Sequence, residues 1–213
     1  MRRLRSDDID AAVALHEIVL SQEFISQCGV KFLRRYYSAW MWSESGVALG
    51  AFDDGTLIGV HLGSLDPSTH YRAMLRSDGI PIALSMISYA AFHPRFAKDL
   101  VVTRGARYAR GVGRALVAGL RRRDTPAATS DAERVGEVTH LFVSPSRQSS
   151  GVGASLLATM ESLARVARVA SLVLVTPPES PATGFYEHEG WQREDEIENS
   201  EGERFVRYRY PLT

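Results

Sequence analysis

The stretch from Val138 to Met160 constrains this chain more than any other part of it. A β-rich run, Glu137–Val143, stops at Ser144-Pro145, and a polar loop, Gln148–Gly153, follows. The segment Gly153–Val169 then spaces Leu156, Leu157, Met160, Leu163 and Ala164 as one face of a helix against a sheet. A strand that runs through a glycine-bearing loop into a helix leaves the N–H groups of the loop and first turn without acceptors. Together with the positive end of the helix dipole they make an anion site suited to a pyrophosphate, and Gly151 and Gly153 let a ligand approach the backbone closely. A dinucleotide fold wants three glycines at wider spacing and an acidic residue about 20 residues on, and a P-loop wants Gly-Lys-Ser/Thr. Neither pattern is present.

The flanking segments alternate between strand and helix periods, which gives an α/β or α+β class. Met1–Arg5 reads as a short edge strand, and Ser6 or Asp7 caps a helix carrying Ile9, Val13, Leu15 and Ile18. Val30–Trp42 reads as an aromatic-rich helix (Phe32, Tyr36, Tyr37, Trp40, Trp42) that packs in the core. Gly46–Phe52 and Thr56–Leu65 are strands joined by Asp53-Asp54-Gly55, a hairpin signal, with Gly59 or Gly63 marking a bulge. After the phosphate loop and its helix come a buried strand, Ser171–Thr176, a short helix, Pro181–His188, stopped by Gly190, and two closing strands, Trp191–Asp195 and Phe205–Pro211, around a turn at Asn199–Gly202.

Residues 66–134 are an insertion within one domain that spans 1–213. Helical patterns fall at Ser68–Leu75, Ile80–Phe92 and Arg104–Arg123, before a Pro-containing linker from Asp124 to Glu133. Ile80–Phe92 is too short to span a bilayer and reads as a buried or substrate-covering helix. A helix over Ala106–Arg122 would place Arg107, Arg110, Arg114 and Arg121 on one stripe, whose ordinary reading is a solvated basic face. With 25 basic residues against 25 acidic ones, the chain has no overall charge to recruit nucleic acid or a membrane. The single Cys28 excludes an intrachain disulfide, and the six scattered histidines show no metal-ligand spacing, so no metal is expected. Met1–Asp8 has no apolar secretory segment, and a cytoplasmic location is expected.

Gln148-Ser149-Ser150-Gly151-Val152-Gly153, led in by Leu141-Phe142-Val143-Ser144-Pro145, resembles the acetyl-CoA signature of the GNAT (GCN5-related N-acetyltransferase) superfamily. Phe185-Tyr186-Glu187-His188-Glu189-Gly190-Trp191 is similar to the family's Tyr-x-x-x-Gly-Phe element, and Arg3–Ile9 to its common opening. The resemblance implies a mixed central sheet splayed between Glu137–Val143 and Ser171–Thr176, with pantetheine inserted like an extra strand. It implies backbone contacts from Phe142 and Val143 and a phosphate cradle formed by Gln148, Ser149, Ser150, Gly151, Val152, Gly153 and Ala154. It also implies Tyr186 as the acid for the leaving thiolate, and a base where Glu137 or Thr139 stands, of which Glu137 is the candidate. One departure is Glu179, at the place of an Asn that commonly contacts the pantetheine arm. A look-alike loop, Arg110-Gly111-Val112-Gly113, lacks the proline and the Gln or Arg three residues before its first glycine.

Strict alternation along Glu137–Val143 puts Glu137, Thr139, Leu141 and Val143 on one face and Val138, His140 and Phe142 on the other. On that reading His140 points away from the chemistry and is structural. The function expected is acetyl transfer from acetyl-CoA to a primary amine of a small molecule by direct attack. A protein or peptide acceptor, a silent acyl-CoA sensor and a nucleic-acid contact through the arginine stripe are the alternatives, and assembly as a homodimer is left open.

Overall fold

The computed structural model describes residues 1–94, 133–198 and 202–212. The proposed helix over 104–123, its arginine stripe, the look-alike loop at 110–113, most of the 124–133 linker and the tip of the 199–202 turn lie outside these residues.

Among the described residues seven strands form one mixed, open sheet in the order β1-β2-β3-β4-β5-β7-β6. They are β1 (Arg2–Arg3), β2 (Gly46–Asp53), β3 (Thr56–Ser64), β4 (Val135–Val143), β5 (Ser171–Thr176), β6 (Gln192–Glu198) and β7 (Arg204–Pro211). The β2–β3 hairpin turns on Asp54 and Gly55, both at positive φ (45° and 80°), so the Asp-Gly pair supplies the left-handed backbone conformation that lets a two-residue connection follow the right-handed twist of the strands. One face of the sheet carries α1 (Ile9–Val19), α2 (Val30–Trp42), α3 (Pro67–Ser77) and α4 (Gly79–Phe92); the other carries α5 (Val152–Val166) and α6 (Ala182–His188).

Helix α2 buries Phe32, Leu33, Tyr36, Tyr37 and Trp40, a stripe at helical spacing, while Trp42 falls off that stripe and is exposed. In α1 the buried set is Ala12, Val13, Leu15 and His16; Ile18 faces solvent. Asp66 starts α3 as N-cap, accepting the Thr69 N–H at 3.0 Å, and Pro67 follows in the first turn. Helix α4 lays Ile82, Met86, Tyr89 and Ala90 against the α1–α2 core, but none of its residues is fully buried, and Ile80, Leu84 and Ile87 are exposed. It therefore caps the core edge rather than lying inside it.

The expected alternation of β4 is corrected at one residue. Pairing with β3 passes from Leu62↔His140 to Gly63↔Val138, so Thr139 has no opposite number. This is a β-bulge, and it reverses the side-chain parity beyond it. Val138 and Leu141 pack on the α5 side, whereas Glu137, His140 and Phe142 share the helix α1–α3 side. Gly63 permits the bulge: a Cβ there would stand 2.6 Å from the Glu137 carbonyl oxygen and 2.8 Å from His61 Cε1. Gly63→Ala is accordingly expected to destabilise the fold by about 1–3 kcal/mol, read as a lower urea midpoint, because backbone rather than a flexible side chain must move.

Candidate active site

Strands β4 and β5 are parallel and pair at Val135↔Ser171, Gly136↔Leu172 and Glu137↔Val173 only. Beyond Glu137 they diverge, since β5 continues along β7 while β4 continues along β3. Among the described residues the β5-facing backbone edge of β4 from Val138 to Val143 has no strand partner, a row of N–H and C=O groups ready for an extended ligand. Val143 leads out of this edge. The Phe142 side chain is core, its ring 5.3 Å from that of His16, so only its backbone can serve the gap.

The loop after β4 is shaped by its own sequence. Ser144 N–H returns to Ile58 C=O (2.8 Å), Pro145–Arg147 make one 3-10 turn, and the Arg147 guanidinium pairs with Asp53 on the hairpin. Ser149 has φ 58°, and Gly151, the N-cap of α5, has φ 80°. Ser155 N–H bonds Gly151 C=O (3.0 Å), so the N–H groups of Val152, Gly153 and Ala154 have no intrahelical acceptor. A Cβ at Gly151 would meet nothing within 4 Å, which leaves open space in front of these donors. Ser150 Oγ bonds Arg147 C=O (2.5 Å) and Gln148 Nε2 lies 3.5 Å from Val143 C=O, so both side chains brace the loop. Orphan donors, open space and an unpaired strand edge together fit an extended thioester carrier with a pyrophosphate.

Tyr186 stands on α6. Gly190 at φ 86° ends that helix and lets Trp191 N–H return to Tyr186 C=O (2.9 Å), which folds Trp191 to 5.9 Å from the Tyr186 ring. Phe185 Cζ lies 3.4 Å from the place of a Gly153 Cβ, seating α6 against the first turn of α5. The Tyr186 ring is buried among Phe185, Trp191 and Tyr208, and burial pushes its pKa up to about 12. Glu179 is exposed on the turn before α6.

Glu137 sits at the last β4–β5 pair. Burial raises its pKa above the usual carboxylate range, against the opposing effect of Tyr71, whose hydroxyl donates to Oε1 and Oε2 at 3.3 Å. It helps line a cavity of about 490 Å³ with Leu65, Asp66, Val135 and Val173. Nothing in the sequence around Tyr71 marks it as a partner of Glu137, since the contact joins α3 to β4 across 66 residues; the only local signal is the N-cap at Asp66, five residues before it, which fixes where α3 begins. His140 was set aside because the bulge is invisible to alternation.

A gap in a mixed sheet beside orphaned helix N–H groups is the framework on which an extended acyl carrier could be held. Residues 107–212 match the family described as Acetyltransferase (GNAT) domain. Solved structures share the fold over nearly the whole chain. A GNAT-family protein from Desulfovibrio desulfuricans has 15% identity and a TM-score of 0.59, covering 100% of this chain and 98% of its own. A spermidine N-acetyltransferase chimera that includes Vibrio cholerae sequence has 12% identity, 99% and 93% coverage, and a TM-score of 0.59. A ribosomal-protein alanine N-acetyltransferase from Escherichia coli has 12% identity, 99% and 92% coverage, and a TM-score of 0.56. No curated protein sequence matches the chain. The chain belongs to the GNAT superfamily and is an acetyl-CoA-dependent acyltransferase. Among the described residues no helix is long and apolar enough to cross a membrane.

Proposed function

We propose that the protein transfers the acetyl group of acetyl-CoA to the primary amine of a small molecule by direct attack. The observation that carries this reading is the end of β4–β5 pairing beyond Glu137↔Val173, which sets an unpaired strand edge next to a carboxylate and a cavity of about 490 Å³. Cavities of this size accommodate small ligands. Pantetheine lies along the β4 edge near Phe142 and Val143, and its pyrophosphate meets the backbone from Gln148 to Ala154.

The chemistry removes two protons from an ammonium. Glu137, whose carboxyl is held less acidic by burial, takes one, directly or through water, to free the nucleophilic lone pair. The amine forms a C–N bond as the C–S bond breaks, a backbone N–H near Val143 polarises the carbonyl, Tyr186 O–H donates to the departing sulfur, and the second amine proton ends on that sulfur through water, giving the CoA thiol.

Gly151→Ala places a methyl in the open space before the cradle and a side chain at φ 80°. It is expected to raise KM for acetyl-CoA about tenfold, equivalent to about 1.4 kcal/mol, with KM for the amine unchanged. The function is tested by thiol release from acetyl-CoA over spermidine, amino sugars, aminoglycosides, amino acids and peptides. Amine-dependent release with small acceptors supports the proposal; release with peptides alone moves the acceptor to proteins.

A further inference from the structure

Glu137 is held firmly at its backbone and by a single contact at its side chain. The backbone lies in register with Ser64 of β3 on one edge and Val173 of β5 on the other, the last pair before β4 and β5 part. The side chain has its own torsions to settle, and among the described residues its hydrogen-bond partner is the Tyr71 hydroxyl, 3.3 Å from both Oε1 and Oε2. That donor is fixed in place. Leu65 N–H bonds Ser45 C=O at 2.9 Å, Asp66 caps α3 through the Thr69 N–H, and His70 N–H returns to Asp66 C=O at 2.9 Å, so α3 starts at a set position. His70 stacks on Trp40 of α2 at 3.9 Å, and the Tyr71 ring stands edge-on to the same indole at 6.2 Å.

The other charged or titratable groups around Glu137 are Asp66, Glu133 and Arg134, which line the same cavity, and Tyr36 of α2 on the core side. Strand β3 contributes Ser64 and β5 contributes Val173, both uncharged. Arg134 is engaged elsewhere, its Nη1 donating to Ala167 C=O at 2.6 Å. Tyr71 is thus the group that works on the Glu137 carboxyl against the effect of burial.

We propose that Tyr71 is a positioning residue for acetyl transfer: its hydroxyl, shared between both oxygens of Glu137, holds the carboxylate at the cavity as the ion that meets the amine. The proposal rests on the acetyl-transfer reading and adds the side chain that makes Glu137 fit for its part in it. Burial drives a carboxyl toward its neutral form, which cannot take the proton of an ammonium. A hydroxyl placed equally on two oxygens favours the ion, because a protonated carboxyl keeps only one strong acceptor. At 3.3 Å both contacts are longer than an ordinary O–H···O bond, so the carboxylate is steadied without being used up as a base. Tyr71 keeps its own proton throughout: burial and the neighbouring Glu137 push its phenol up to about 12. It stands outside the residues that line the cavity and acts through Glu137 rather than on the amine.

The test uses the full chain with Tyr71→Phe, which removes the hydroxyl and leaves the ring on Trp40 and His70. Carbon-13 NMR of the glutamate carboxyls without substrate, with Glu137 assigned by its loss in Glu137→Gln, is expected to show Glu137 titrating at higher pH in Tyr71→Phe than in the wild type. A Glu137 titration that does not move overturns the proposal whether or not any amine is turned over. The second arm takes the fastest amine of the thiol-release panel. The ratio of kcat/KM for that amine at pH 8 to its value at pH 6 is expected to rise about threefold or more in Tyr71→Phe, with KM for acetyl-CoA unchanged. Using one amine for both proteins cancels the titration of the amine itself. In a Glu137→Gln background Tyr71→Phe should change nothing further, as befits a residue that acts through Glu137. An equal loss at both pH values that persists in Glu137→Gln marks a purely structural tyrosine and overturns the proposal. Absence of turnover by the wild type with every amine refutes the transfer reading, and with it the task given to Tyr71, while the NMR titration still reports whether Tyr71 holds the carboxylate.

Discussion

Tyr186→Phe is expected to lower kcat about 10²-fold while leaving KM for acetyl-CoA and the melting temperature near wild type. The substitution keeps the ring packed on Phe185, Trp191 and Tyr208, so the core among α6, β6 and β7 is preserved. What disappears is the hydroxyl that the proposed mechanism sets against the departing sulfur. General acids contribute about 10²–10⁴-fold, and the lower end applies here. A phenol pushed up to about 12 is a weaker acid than a thiol near 8.5, so full proton transfer to the thiolate is uphill. In the proposed mechanism the hydroxyl therefore acts chiefly as a hydrogen-bond donor to the charge developing on sulfur. The same burial keeps Tyr186 protonated over the working range, so no fall in kcat up to pH 10 is assigned to it. Steady-state kinetics of the purified variant checks both points, and an unchanged kcat removes Tyr186 from the mechanism.

The second large effect is on stability. His16, His61 and His70 are fully buried with pKa values pushed down to about 4, and His140 down to about 3, all by desolvation in the first place. In the unfolded chain each returns to about 6.5. Between those values the unfolded state binds protons that the folded state does not, so this stability is complete above pH 6.5 and is lost as pH falls toward 4. Each such histidine contributes up to about 1.4 kcal/mol per pH unit, and together they are large beside a typical total of about 5–15 kcal/mol. Glu23, Glu137 and Glu161, raised by burial, work in the opposite sense and return part of the loss as they protonate. The net expectation is a urea midpoint that drops steeply from pH 7 to pH 5. A flat profile over that interval contradicts the burial of neutral imidazoles.

How much of this was readable beforehand depended on whether the signal was local. The phosphate loop was legible because Pro145, Gly151 and the Leu156–Leu157–Met160 face each impose a backbone state on a few adjacent residues. The Asp54-Gly55 hairpin and the stop of α6 at Gly190 were legible for the same reason, since positive φ selects residue type directly. The faces of β4 were not. Alternation holds only while each residue has an opposite number, and the bulge depends on how β3 and β4 meet across a separation of some 75 residues. It moved His140 from the far side to the side of Glu137 and so changed which groups belong to the acceptor face. Tyr71 was hidden likewise: it contributes through a contact with β4 that nothing in its own neighbourhood encodes.

The account turns on acetyl transfer to an amine across the gap between β4 and β5. Its most direct test is thiol release from acetyl-CoA by the purified chain, with and without each amine of the panel, paired with mass measurement of the acceptor. The account predicts release that requires an amine, saturates in both substrates, and matches one N-acetylated product per thiol. Saturable acetyl-CoA binding with no amine-dependent release across small amines and peptides alike would contradict it, and would make the protein a binder of the thioester rather than a catalyst of its transfer.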